Sequence, residues 1–193
     1  MTRARSAPDP ETVTLFVGSA HGDFATVRRL LEADPSLLQV SAPWQETAIQ
    51  AATHMANRQI IDYLLERGAT FDIYTAAVLG QAERVQAMLD IDPSLARSRG
   101  VHGFPILFFP VIAGYLDIAE LLVTRGASID DGEGSMTPLH GAAAFDQPEM
   151  AAWLIGHGAS TDHKDFEGKT PHEVAVAREH GRVAELLAQG APS

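Results

Sequence analysis

Apolar residues recur along this chain at helical rather than strand spacing. Val27, Leu30 and Leu31, then Ile60, Ile61, Leu64 and Leu65, then Ile118, Leu121 and Leu122 each line one side of a helix, with charged residues between them. In every such segment two or three further residues lead to a terminator: Asp34, Gly68, Asp92, Gly126, Gly158 and Gly190. The intervals are 34, 24, 34, 32 and 32 residues, a near-constant period that marks stacked supersecondary units. Shorter alanine-rich segments precede these helices, at Ala51 and Ala52 and at Ala142 to Ala144, so neighbouring backbones can approach closely. Their starts carry cap signals. Thr137 stands before Pro138, a good first helical residue, and Thr170 to Glu173 and Thr47 to Gln50 read as capping boxes. The pattern predicts repeated pairs of antiparallel helices, each pair closed by a residue suited to the left-handed conformation.

The order of these signals resembles the ankyrin repeat: G-x-T-P-L-H-x-A-A, a helix, then L-L-x-x-G-A. The match is best at 132–163 and good at 165–191 and 42–72; at 100–130, Gly103-Phe104-Pro105-Ile106-Leu107-Phe108 replaces the motif. At 9–38 and 73–96 only the helix pair is recognisable. The resemblance implies an all-α solenoid of about six helix-turn-helix units joined by short β-turn fingers. Each unit depends on its neighbours to cover its apolar side. The expected organisation is a tail at 1–8 and one domain at 9–193, with units at 9–38, 39–72, 73–96, 97–130, 131–163 and 164–191.

The short interval has its own meaning. Only Ala69, Thr70 and Phe71 separate Gly68 from Asp72, a natural N-cap, so the third unit is expected to lack its finger. Asp34-Pro35-Ser36-Leu37 and Asp92-Pro93-Ser94-Leu95 are near copies, each predicting a cap, a proline and one extra turn that packs its leucine inward.

In the resembling family, fingertips and the exposed side of the inner helices contact a partner protein. Transferred position by position, that surface comprises Trp44 and Glu46 with His54 and Met55; His102 and Phe104; Glu133 and Met136 with Phe145; and Phe166, Glu167 and Lys169 with Arg178. His21 and Leu79 fill the corresponding helix positions where fingers are absent. Aromatic, methionine and arginine side chains are common anchors of interfaces. Arg28, Arg29, Glu32, Asp62, Glu66, Arg67, Glu83, Arg84, Asp117, Glu120 and Arg125 mix both charges along the outer helices and read as a solvated side.

Charge and composition narrow the partner. Fourteen basic residues against twenty-five acidic ones give a net charge of -11, which repels nucleic acid and anionic membranes. There is no cysteine, which excludes disulfides and thiolate chemistry and fits a reducing compartment, the cytoplasm. The longest apolar run, FPILFFPVIAG, is too short to span a bilayer, and the first ten residues lack a signal-peptide core. Arginine outnumbers lysine twelve to two, a bias of GC-rich genomes, bacterial ones among them.

Candidate chemistry is thin. His172-Glu173 opens like a zincin helix, but His180 follows after eight residues rather than four and lies about 80° round the helix. His140 stands in the Thr-Pro-Leu-His position, where the resemblance implies a structural hydrogen bond. Asp130-Asp131-Gly132-Glu133 lacks the ligand alternation of a calcium loop. No serine sits in a nucleophile motif and no phosphate-binding loop is present. The expectation is a monomeric, non-catalytic protein-binding module with no metal and no cofactor. The alternatives are a self-associating structural protein, or a ligand or enzymatic site at the notch near residues 68–80.

Overall fold

The computed structural model describes residues 7–190, so most of the expected tail lies outside the described residues. The chain is all-α. Among the described residues, β-type pairing amounts to isolated bridges between Ser41 and Thr47 and between Arg99 and Pro105. The chain divides into two compact units, Met1–Thr75 and Ala76–Ser193.

In the first unit, helix α1 (Pro10–Ser19) starts on Asp9, whose carboxylate accepts the Thr12 N–H at 3.0 Å, with Pro10 at the first helical position. Helix α2 (Phe24–Ala33) returns alongside it. After a linking finger, α3 (Ala48–His54) and α4 (Arg58–Glu66) repeat the arrangement, with α3 packed on both α1 and α4. Phe16, Val17, Leu37, Ile60, Ile61 and Leu64 form the interior. Only Arg67 to Asp72 separate α4 from α5 (Ile73–Val78), with no hairpin between them. Asp72 caps that helix, accepting both the N–H and the hydroxyl of Thr75 at 2.8 Å. The third pair thus lacks its finger. The boundary between the units falls inside α5.

The second unit continues with α6 (Ala82–Ile91), α7 (Phe108–Ala113), α8 (Leu116–Thr124), α9 (Pro138–Ala144), α10 (Pro148–Gly156), α11 (Pro171–Ala177) and α12 (Gly181–Gly190). The inner helices α7, α9 and α11 lie side by side; α8, α10 and α12 back them. Close approach of α7 and α9 depends on Gly141. A β-carbon there would stand 2.8 Å from the Phe108 ring and 3.0 Å from Ile112. Side chains at the bends tie each inner helix to the next. Gln147 donates to the Ile112 carbonyl at 3.1 Å, Arg178 to that of Ala144 at 3.3 Å, and His180 Nδ1 lies 2.8 Å from that of Ala143. These carbonyls lie at helix C-termini and have no partner within their own helix.

The near-copied tetrapeptides form the same device twice. Asp34 accepts the backbone and hydroxyl of Ser36 at 3.0 and 2.7 Å; Asp92 accepts those of Ser94 at 3.0 and 2.6 Å. Each opens a 3-10 turn, Pro35–Gln39 and Pro93–Arg97. From these turns Gln39 reaches the Gly68 carbonyl at 2.8 Å and Arg97 that of Gly126 at 3.3 Å. Leu37 is fully buried as expected. In the second copy Ala96 takes that place and Leu95 is half-buried, because the short 3-10 turn settles on its smaller residue.

Five of the six bends between paired helices share one conformation, the bend between α1 and α2 being the exception. Gly80 and Gly114 take the left-handed region there, at φ 74° and 79°. The equivalent places in three other pairs hold Ala56, Asp146 and Glu179, at φ 50°, 51° and 61°. Side chains with a β-carbon are strained in that region.

Candidate interaction surface

In the first unit, the finger between α2 and α3 closes through the Ala42 N–H on the Glu46 carbonyl at 2.8 Å and turns at Gln45, φ 64°. Trp44 stands 42% exposed at its tip, and Met55 is exposed at the end of α3. Trp44 is nonetheless held, since its indole N–H donates to Glu46 Oε2 at 2.6 Å. Glu46 is not at the surface. Its side chain is fully buried, with His54 Nδ1 3.1 Å from Oε1 and His21 Nε2 3.7 Å from Oε2. Burial opposes the charged carboxylate, but hydrogen bonds from His54 and Trp44 and the charges of His54 and His21 hold its pKa down to about 2. His54 is buried beside it, and the His21 and His54 rings meet edge to face with centroids 5.0 Å apart. Of the four residues expected on this surface, Trp44 and Met55 face solvent, whereas Glu46 and His54 turn inward and face each other as a buried pair.

The second unit has three fingers bonded in series. The Ser135 hydroxyl donates to the His102 carbonyl at 3.1 Å. Phe166 N–H donates to the Ser135 carbonyl at 3.1 Å and Gly134 N–H to that of Lys164 at 3.0 Å. Arg99 pairs with Asp131, and Asp130 accepts the Ser160 N–H at 2.8 Å, so the acidic turn anchors fingers. Asp165 does the same in the last finger, accepting from Glu167 and Lys169 N–H at 2.8 and 2.9 Å.

On this frame His102, Glu133, Phe166 and Glu167 are exposed, and Lys169 is half-exposed with its ammonium 2.5 Å from Glu167 Oε2. Phe166 is 66% exposed. Arg178 is exposed along its length while its guanidinium holds α9. Phe145 is half-buried, its ring 6.4 Å from that of Phe108. Phe104 and Met136 are buried, against the expectation that they face outward. Phe104 joins Phe108, ring centroids 4.7 Å apart, because the apolar run that replaces the usual motif folds inward as a block from Phe104 to Ile112. Met136 sits under its own finger, where its carbonyl lies so near Gly132 that a β-carbon there would come within 2.5 Å. Leu79 is likewise buried.

His140 has a structural place, as the resemblance implied. Its Nδ1 lies 2.7 Å from the Thr137 hydroxyl and its Nε2 3.0 Å from the Lys169 carbonyl, so the ring completes a cap and ties the next finger to α9. Burial lowers its pKa, outweighing the Lys169 hydrogen bond and the Asp165 charge that would raise it.

The His21–Glu46–His54 cluster was missed in the sequence because its members lie in three separate elements; only their placement on neighbouring turns and one finger brings them together. No described helix is long and apolar enough to cross a membrane.

A family model of ankyrin repeats, three copies, matches residues 111–192. Over 182 residues the chain is 24% identical to a putative ankyrin repeat protein of Rickettsia felis, covering 85% of this chain and 70% of that one. It is 28% identical over 184 residues to the probable 26S proteasome regulatory subunit p28 of Saccharomyces cerevisiae, with 86% and 80% covered. It is 25% identical over 176 residues to a transient receptor potential cation channel subfamily A member 1 homologue of Caenorhabditis elegans, 91% of this chain but only 12% of that protein. With the helix pairs, capped inner helices and bonded fingers described above, these likenesses show that residues 111–192 carry ankyrin repeats, and that the chain over most of its length is similar to an ankyrin repeat protein.

Proposed function

We propose that the chain is a non-catalytic module that binds another protein through its fingertips and the adjoining ends of its inner helices. Ankyrin repeats in general are protein-interaction modules, and that much extends to this chain. The observation that carries the finer reading is Phe166, two-thirds exposed on a fingertip whose backbone is fixed by hydrogen bonds. A large apolar side chain on a rigid support loses little conformational freedom on binding. In the second unit His102, Glu133, Glu167, Lys169 and Arg178 supply the polar rim, with Phe145 behind; in the first unit Trp44 and Met55 offer a second apolar contact. The module acts as a monomer in the cytoplasm, a reading supported by a cysteine-free, acidic composition.

Affinity capture from the source organism, with the captured protein then titrated in purified form, tests this. Phe166→Ala is expected to weaken that partner at least tenfold, as central aromatic anchors do. An unchanged affinity in both Phe166→Ala and Trp44→Ala would refute the surface.

A further inference from the structure

We propose that His21, Glu46 and His54 form a binding site for a first-row divalent cation, zinc in particular. The proposal is independent of the protein-binding reading. The ligand atoms of the three side chains all lie within 4.8 Å of one another. Glu46 spans the two rings, Oε1 towards His54 Nδ1 at 3.1 Å and Oε2 towards His21 Nε2 at 3.7 Å. Two ligands of a tetrahedral zinc, each ~2.0–2.2 Å from the metal, stand about 3.4 Å apart. The cluster therefore needs only small movements to close on an ion.

The hydrogen bonds behind the cluster supply a second, separate argument. His21 Nδ1 lies 3.1 Å from the Gly18 carbonyl oxygen, which can only accept. That bond makes Nδ1 a donor and leaves Nε2, the nitrogen a metal would take, turned towards Glu46 Oε2. A ring N–H given to a backbone carbonyl is also the usual outer support of a metal-bound histidine, fixing its tautomer. Trp44 plays the same part for the carboxylate, holding Oε2 through its indole N–H at 2.6 Å.

Access and donor set agree with this assignment. Glu46 and His54 are buried, but the His21 side chain is 36% exposed and gives solvent a way in. Two imidazoles and a carboxylate suit zinc and leave a fourth position for water.

The test uses the full chain, freed of metal by a chelator and titrated with zinc chloride alone by calorimetry. One equivalent is expected to bind, and His21→Ala is expected to lower the affinity at least tenfold. His172→Ala, which alters a histidine outside the cluster, should leave it unchanged. Cobalt in place of zinc should give the visible absorption of a four-coordinate nitrogen and oxygen site, and His21→Ala should remove it. Replacing the buried Glu46 or His54 can unfold the chain, so the deciding comparison is the wild type against His21→Ala with helicity verified by circular dichroism. No zinc uptake by the wild type, a cobalt spectrum of a six-coordinate aquo ion, or equal uptake in folded His21→Ala would each overturn the proposal.

Discussion

His140 illustrates how one side chain can serve two neighbours and become sensitive to acid. Its ring completes the cap of α9 and reaches the Lys169 carbonyl of the next finger, and burial favours the neutral form. The folded pKa lies below the ordinary 6.5, so the unfolded chain takes up the proton first as pH falls. Stability present above about pH 6.5 is then lost as pH drops towards the folded value. Urea unfolding at pH 7.5 and pH 5.5 should show a lower midpoint at pH 5.5, and His140→Gln, which cannot titrate, should show a smaller drop between the two. The role of this residue was legible beforehand because Thr137-Pro138-Leu139-His140 is a contiguous motif with a local geometry. Glu46 was not. Position along a finger says that a side chain starts near the surface, but not that two imidazoles from other turns will draw it under.

At the scale of elements, spacing and caps were informative wherever a helix start was built from adjacent residues. Thr47, Thr137 and Thr170 each form the expected cap, and the absent finger before α5 follows from a link of six residues. Where the motif was degraded, the reading of outward and inward failed. Around Phe104 the chain offers a continuous apolar run, which by itself does not say which members face the interior. The contact between α7 and α9 gives a sharper prediction. Gly141→Ala would improve helix propensity by ~1 kcal/mol. Its new methyl group would collide with Phe108 and Ile112, both locked in the interior. Overpacking typically costs about 1–3 kcal/mol, so the net expectation is a loss of stability. Chemical denaturation of Gly141→Ala checks this, and a gain would mean that α7 moves aside freely.

For the whole molecule, the all-α class and the succession of helix pairs were readable from a period of apolar positions, because that period is what packing requires. The burial of particular fingertip residues was not, since it depends on contacts between segments about thirty residues apart. The five left-handed bends belong to the same category: glycine signals two of them, and Ala56, Asp146 and Glu179 give no local sign. Those three places leave thermal headroom unused. Glycine at Ala56 and Glu179 should relieve the backbone by about 1 kcal/mol each, after the larger freedom of the unfolded glycine is counted. Asp146 should gain less, as aspartate tolerates this conformation better. Sites so far apart add nearly independently, and a chain of this size gains roughly 2–4 °C in melting temperature per kcal/mol. A triple-glycine variant followed by scanning calorimetry should therefore melt several degrees higher while keeping every fingertip side chain. The protein could be hardened against heat at its hinges, leaving recognition as it stands.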